Sequence, residues 1–260
     1  MITVLGGKGG VGATTIAVNL TVAIAALGRR AVLVDANLQQ PDVASQCRLD
    51  ETETLTDVLS GRRTVHEVLQ RGPAGILVLP GTWAPDRVTE CSELAQQRLL
   101  AELSRLGSHT DLIVLDAGCG LNPIAQRFAQ ASDLLFMVTT ADSVSIMDTY
   151  ATIKTLPASN PRPPIRTIVN QSADLDQSSD VHRRVGEACH RFLGQTVEPA
   201  MTVPSDAKIA AAAKQQTPLM VAAPQAAAAQ RIDELAHYVL DFCRQLESSP
   251  REQRPWRLAS

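Results

Sequence analysis

Short apolar runs recur along this chain with helix-like stretches between them, and this alternation constrains the fold more than any other feature. Runs at 2–5, 31–34, 76–79, 112–115, 134–138 and 165–169 are bounded by polar or turn residues. Continuous apolar runs of strand length suit strands buried on both faces. Six of them separated by helical patterns predict an α/β fold, a doubly wound, mostly parallel sheet with helices on both faces. The first helical pattern is the clearest: Ile16, Leu20, Ala23, Ile24 and Leu27 share one face, and Gly28 supplies a stop. The last, around 225–247, keeps Ile232, Leu235, Ala236, Val239, Leu240, Cys243 and Leu246 at core spacing. The polar stretch 172–180 reads as a surface loop before a helix carrying Val185 and Phe192, and 160–164 reads as a helix-to-strand loop. One domain over 1–248 and an irregular tail over 249–260 are expected.

Composition excludes several function classes. With 24 Lys+Arg against 27 Asp+Glu in 260 residues, the net charge of −3 carries no global basic field, and aromatics are only 3% of residues. Neither phosphate-backbone attraction nor base stacking is favoured, so no nucleic acid is expected as a partner. The apolar runs fall well short of the roughly 20 residues that span a bilayer, and no cleavable leader pattern precedes them. The five cysteines, Cys47, Cys91, Cys119, Cys189 and Cys243, show no C-x-x-C spacing. That distribution fits a reducing, cytoplasmic compartment and gives no zinc or disulfide framework. The histidines, including His182 and His190 beside Cys189, receive no metal-ligand role.

The chemistry concentrates in GGKGGVGATT, residues 6–15, between the first strand and the first helix. A standard phosphate-binding loop reads G-x-x-x-x-G-K-[ST]. Laid on Gly7 and Gly12, that pattern puts Ala13 where the lysine belongs and Thr14 on the hydroxyl position. A glycine turn has a purely structural reading too. Here the strand before, the helix after, the Gly7–Gly12 spacing and Thr14-Thr15 at the helix start all coincide. Backbone N–H groups and a positive helix end then converge on one point, an anion site built from Gly7, Gly9, Gly10, Val11, Gly12, Ala13, Thr14 and Thr15. Thr14 is the candidate Mg²⁺ ligand, and Thr15 reaches an upstream phosphate.

K-G-G-x-G-x-T-T resembles the deviant Walker A motif of the MinD/ParA ATPases. The resemblance implies ATP or ADP with Mg²⁺ as cofactors, and a homodimer in which the early lysine, here Lys8, reaches the nucleotide held by the other subunit. It accounts for the displaced lysine but not for Ala13. VLVDANLQQPDV at 32–43 resembles the family's second-strand motif, which implies that Asp35 lies near the Mg²⁺ shell. The family's water-positioning aspartate is replaced by Asn37. DLIVLDAGCG at 111–120 resembles the Walker B strand, with Asp116 holding Mg²⁺ through water. IVNQ and VPSD resemble the adenine-side motifs, implying that Asn170, Pro204 and Asp206 lie near the base.

Segments 54–81, 138–156 and 192–206 are most similar to FlhG, the MinD-like regulator of flagellar number and placement, over residues 1 to about 245. That similarity implies a signal-recognition-type GTPase of the FlhF kind, or other flagellar assembly proteins, as partner, at the inner face of the cytoplasmic membrane. FlhG relatives often carry an N-terminal arm that engages the flagellar switch complex. This chain begins almost on its first strand, so that contact is not expected. A peripheral membrane contact rests on Arg251, Arg254, Trp256, Arg257 and Leu258 alone, too short a stretch for an amphipathic helix. Alanine at the loop's lysine position is also typical of the CpaE/TadZ proteins that localise pilus machinery, the alternative family reading. A third reading is a nucleotide-free scaffold. With Ala13 and Asn37 in the two catalytic positions, hydrolysis is expected to be weak or lost.

Overall fold

The computed structural model describes residues 1–82, 92–120, 123–156 and 163–248. Among them the chain alternates as β1 (Ile2–Gly6), α1 (Ala13–Ala26), β2 (Ala31–Asp35), α2 (Val43–Cys47), α3 (Leu55–Leu59), α4 (Val65–Val68), β3 (Gln70–Arg71) and β4 (Leu77–Leu79). It continues as α5 (Glu93–Arg105), β5 (Leu112–Cys119), α6 (Pro123–Ala131), β6 (Leu134–Thr139), α7 (Ser143–Thr155), β7 (Ile165–Ser172) and α8 (Leu175–Leu193). The last elements are β8 (Val197–Pro204), α9 (Ala207–Lys214), α10 (Leu219–Ala222) and α11 (Ala227–Ser248).

The eight strands form one sheet in the order β3-β4-β2-β5-β1-β6-β7-β8, parallel except for the β3–β4 pair. β1 lies in the middle, between β5 and β6. Its apolar run is buried on both sides because successive side chains leave a strand on opposite faces. The same holds for β2: Val32 and Val34 pack with Leu99, Leu103 and Phe128, whereas Leu33 between them packs across the sheet with Leu20 and Ile232. α1 and α11 cover the Leu33 face. α5 and α6 cover the other face over β2 and β5, and α7 and α8 continue that layer over β6 and β7.

Two strands go beyond the six expected, and both lie at edges. β3 is two residues long and pairs antiparallel with β4. β8 is half exposed and contains Pro199, which has no N–H to donate and fits an edge strand. Neither has the fully apolar signature of a central strand. The stretch 172–180 also differs from its reading as a loop, because α8 already begins at Leu175. Asp174 makes this possible by accepting a hydrogen bond from Gln177 N at 2.7 Å, a side-chain cap that polar composition conceals. Phe192, near the end of α8, is exposed, with the Arg191 guanidinium 5.4 Å from its ring centre. The tail 249–260, Cys91 and most of the 160–164 loop lie outside the described residues.

Phe128 is fully buried where α6 meets β5 and the helices beside it. Phe128→Ala is expected to lower the unfolding free energy by about 3–5 kcal/mol. Urea unfolding should show a lower midpoint with an unchanged slope; a change below about 1 kcal/mol would contradict this packing.

Candidate nucleotide site

The glycine loop joins the C-terminal end of β1 to α1, at the end of a parallel sheet where such folds bind ligands. Gly7 N donates to Val138 O at 3.1 Å, and Gly120 N donates to Gly6 O at 3.1 Å, so the neighbouring strands hold the loop's root. Gly12 is the N-cap of α1 in the left-handed region, φ 87°. A Cβ there would lie 2.4 Å from Asn170 Nδ2, so both conformation and space require glycine. Gly12 has no side chain with which to cap α1, and the helix's first turn holds no acidic residue. Its first N–H groups therefore remain available to an anion. Lys8, Gly9 and Gly10 are exposed at the loop's rim, Gly7, Val11 and Ala13 are buried, and Thr14 and Thr15 lie between these extremes.

Next to the loop stand two carboxylates. β2 and β5 pair in register with Asp35 opposite Asp116, and both residues are 0% exposed. Asp35 Oδ1 accepts from Asn37 N at 3.2 Å, and Oδ2 accepts from Val43 N at 3.1 Å. Asp116 Oδ1 accepts from Gly118 N at 3.1 Å, whereas its buried Oδ2 has no hydrogen-bond partner among the described residues. Burial and then the Asp116 charge push Asp35 well above the usual carboxylate range. Burial pushes Asp116 up to about 6, with Thr14 lying close enough to oppose the shift. Two dehydrated carboxylates, one orphaned oxygen and an adjacent hydroxyl form a hard-oxygen donor set that fits Mg²⁺.

Asn37 is not aimed at this centre. Its Nδ2 donates to Gln40 O at 2.6 Å and its Oδ1 accepts from Gln40 N at 3.2 Å, so the amide closes a local turn. The turn fits against Gly118, φ 70°, where a Cβ would lie 2.4 Å from Asn37 Oδ1. A carboxylate would lack the N–H that reaches Gln40 O, so asparagine suits a turn-forming role. Lys8 forms an exposed ion pair with Asp142 at 3.7 Å. Asp142 itself caps α7 by accepting from Ser145 N at 2.9 Å.

At the end of β7, Asn170 Nδ2 donates to Val11 O at 2.8 Å, while its buried Oδ1 has no partner among the described residues. Pro204 ends β8 and pairs in register with Ser172. Asp206 caps α9 through Lys208 N at 2.9 Å and also accepts from Ala228 N at 3.4 Å, so its carboxylate serves the backbone. The loop thus gathers Thr14, Asp116 and Asn170, with Asp35 beside Asp116. Pro204 ends and Asp206 follows β8, the neighbour of β7, and the hydrogen bonds of Asp206 go to α9 and α11. Sequence reasoning missed Gln171, whose Nε2 donates to Gly10 O at 3.1 Å, and Thr149, which packs on Gly7. Gln171 stood inside the quoted IVNQ motif; no local signal marks Thr149.

The carboxylate pair carries a pH consequence. Asp116 has a folded-state pKa above its unfolded value, so its contribution favours folding at low pH and is lost as pH rises through about 6. Without a divalent cation, Asp116→Asn is expected to raise the unfolding free energy above neutral pH by about 1–3 kcal/mol and to flatten this decline. Urea unfolding in EDTA across the pH range measures both. A destabilised variant with the original pH slope would contradict the assignment.

The AAA_31 model, described as an AAA domain, matches residues 1–161. The antiactivator FleN of Pseudomonas aeruginosa is 29% identical over 239 residues, covering 92% of this chain and 85% of that protein. The flagellum site-determining protein YlxH of Helicobacter pylori is 28% identical over 153 residues, covering 59% of this chain and 52% of that one. Among solved structures, the septum site-determining protein MinD of Pyrococcus horikoshii OT3, complexed with Mg-ADP, superposes with a TM-score of 0.76. Its sequence is 23% identical, with 92% of this chain and 94% of that chain covered. With a family model covering more than half its length, this chain belongs to the AAA domain family AAA_31, and it shares its fold with the solved MinD structure.

Proposed function

We propose that the chain binds ATP and ADP with Mg²⁺ as a nucleotide-dependent dimerising switch in flagellar number and placement, with hydrolysis slow or lost. The observation that carries this reading is the coexistence of a complete glycine loop and a buried Asp35–Asp116 pair with Ala13 at the lysine position. Phosphate binding needs the loop's amides and a cation; rapid phosphoryl transfer needs charge and water positioning as well.

In this reading the backbone N–H groups from Gly9 to Thr15 cradle the phosphate chain, and the Thr14 hydroxyl with Asp35 and Asp116 holds Mg²⁺, partly through water. The cation neutralises charge on the phosphate oxygens when bound. Asn170, Pro204 and Asp206 flank the base. Ala13 contributes no ammonium in cis, and the Asn37 amide is engaged by Gln40, so neither orients a nucleophile. Lys8 is 43% exposed and held by a long surface ion pair worth little free energy. It can leave Asp142 for a phosphate in a second copy.

The flagellar assignment is carried over from the relatives' names and from the FlhG-like segments. The partner in this reading is an FlhF-type GTPase or another flagellar assembly protein, met at the inner face of the cytoplasmic membrane. Among the described residues no helix is long and apolar enough to cross a membrane, so any such contact is peripheral in this reading.

Calorimetric titration of nucleotide-stripped protein with Mg·ATP and Mg·ADP, with mass followed by light scattering, tests the switch. Saturable binding of both, and dimerisation with Mg·ATP only, is expected. Lys8→Ala should bind nucleotide yet stay monomeric, and Ala13→Lys should bind about tenfold more tightly through one added charge-assisted contact. Absence of binding would make the chain a scaffold. Fast turnover abolished by Thr14→Ala would overturn the claim of weak hydrolysis.

A further inference from the structure

Gln171 is out of keeping with its surroundings. It is exposed, yet its backbone lies in the left-handed region at φ 56°, which a long side chain rarely adopts. Packing does not hold an exposed side chain there. Its amide nitrogen donates to Gly10 O at 3.1 Å, while the preceding Asn170 donates to Val11 O at 2.8 Å. Two successive amides on β7 therefore hold two successive carbonyls of the phosphate loop, across a sheet in which β6 separates β7 from β1.

A trans peptide carries its C=O and N–H on opposite sides. Turning the Gly10 and Val11 carbonyls toward β7 therefore turns the Val11 and Gly12 N–H groups away from it. Successive N–H groups fixed in this way, between the left-handed Gly10 (φ 81°) and Gly12 (φ 87°), make the nest that receives an anion. With Ala13 there is no long cationic side chain at the head of α1 to organise the loop from within. We propose that Gln171 is a positioning residue that pins the loop in its anion-receiving shape from outside, so that affinity for a polyphosphate chain, with or without a base, depends on it. This rests on the reading of the loop as a phosphate site.

The test uses the full chain with three substitutions. Gln171→Glu keeps the shape but leaves only acceptors facing Gly10 O, Gln171→Gly relaxes the backbone and removes the amide, and Gln171→Lys restores a donor. Backbone ¹⁵N order parameters at Gly10 and Gly12 are measured without ligand, and binding of inorganic tripolyphosphate and Mg·ADP by calorimetry. The Glu and Gly variants should lower both order parameters from the rigid range and weaken the two ligands by the same factor, about tenfold. The Lys variant should keep the order parameters of the parent chain. In an Ala13→Lys background the loss caused by Gln171→Glu should shrink, a non-additive pair. Unchanged order parameters and affinities in Gln171→Glu would overturn the proposal. If the parent binds neither ligand while Gln171→Glu still loosens the loop, the phosphate reading fails and the pin stands.

Discussion

Asp35 and Asp116 face each other across adjacent parallel strands with no water-exposed surface. Burying one ionised carboxylate is expensive, and burying two side by side adds repulsion to dehydration. Much of the surrounding structure answers that charge. The backbone N–H groups of Asn37 and Val43 serve Asp35, and that of Gly118 serves Asp116. The turn closed by Asn37 and the start of α2 are held in place by these bonds. Backbone donors leave the second oxygen of Asp116 unanswered.

Much of this was legible in the sequence, for local reasons. The loop is contiguous, its glycines and threonines announce the strand–turn–helix unit, and the central strands are apolar on both faces. Asp35 and Asp116 could be named as strand-end acids, but their register is a property of β2 lying beside β5, which no local pattern encodes. The edge strands escaped because half-exposed residues and Pro199 dilute the apolar signal. The start of α8 escaped because its capping residue has the same polar composition as a loop.

Side-chain orientation was harder to read than backbone position. Asn37 occupies the expected position but spends its amide on Gln40, and Asp206 spends its carboxylate on the first turn of α9. Gln171 acts on a loop 161 residues away, a separation at which only the folded sheet brings the two together. In each case the residue type was visible and the bonding partner was not.

The sheet's two margins have a bearing on how copies of this chain meet. One margin is a strand of two residues, and the other carries Pro199 together with Glu198, whose carboxylate is engaged by Arg166. Short strands, proline and charge at a margin all discourage an incoming strand from continuing the ladder. Lateral growth into an extended, fibre-like sheet is thereby suppressed. Neither margin offers an incoming copy a long, regular edge strand to pair with.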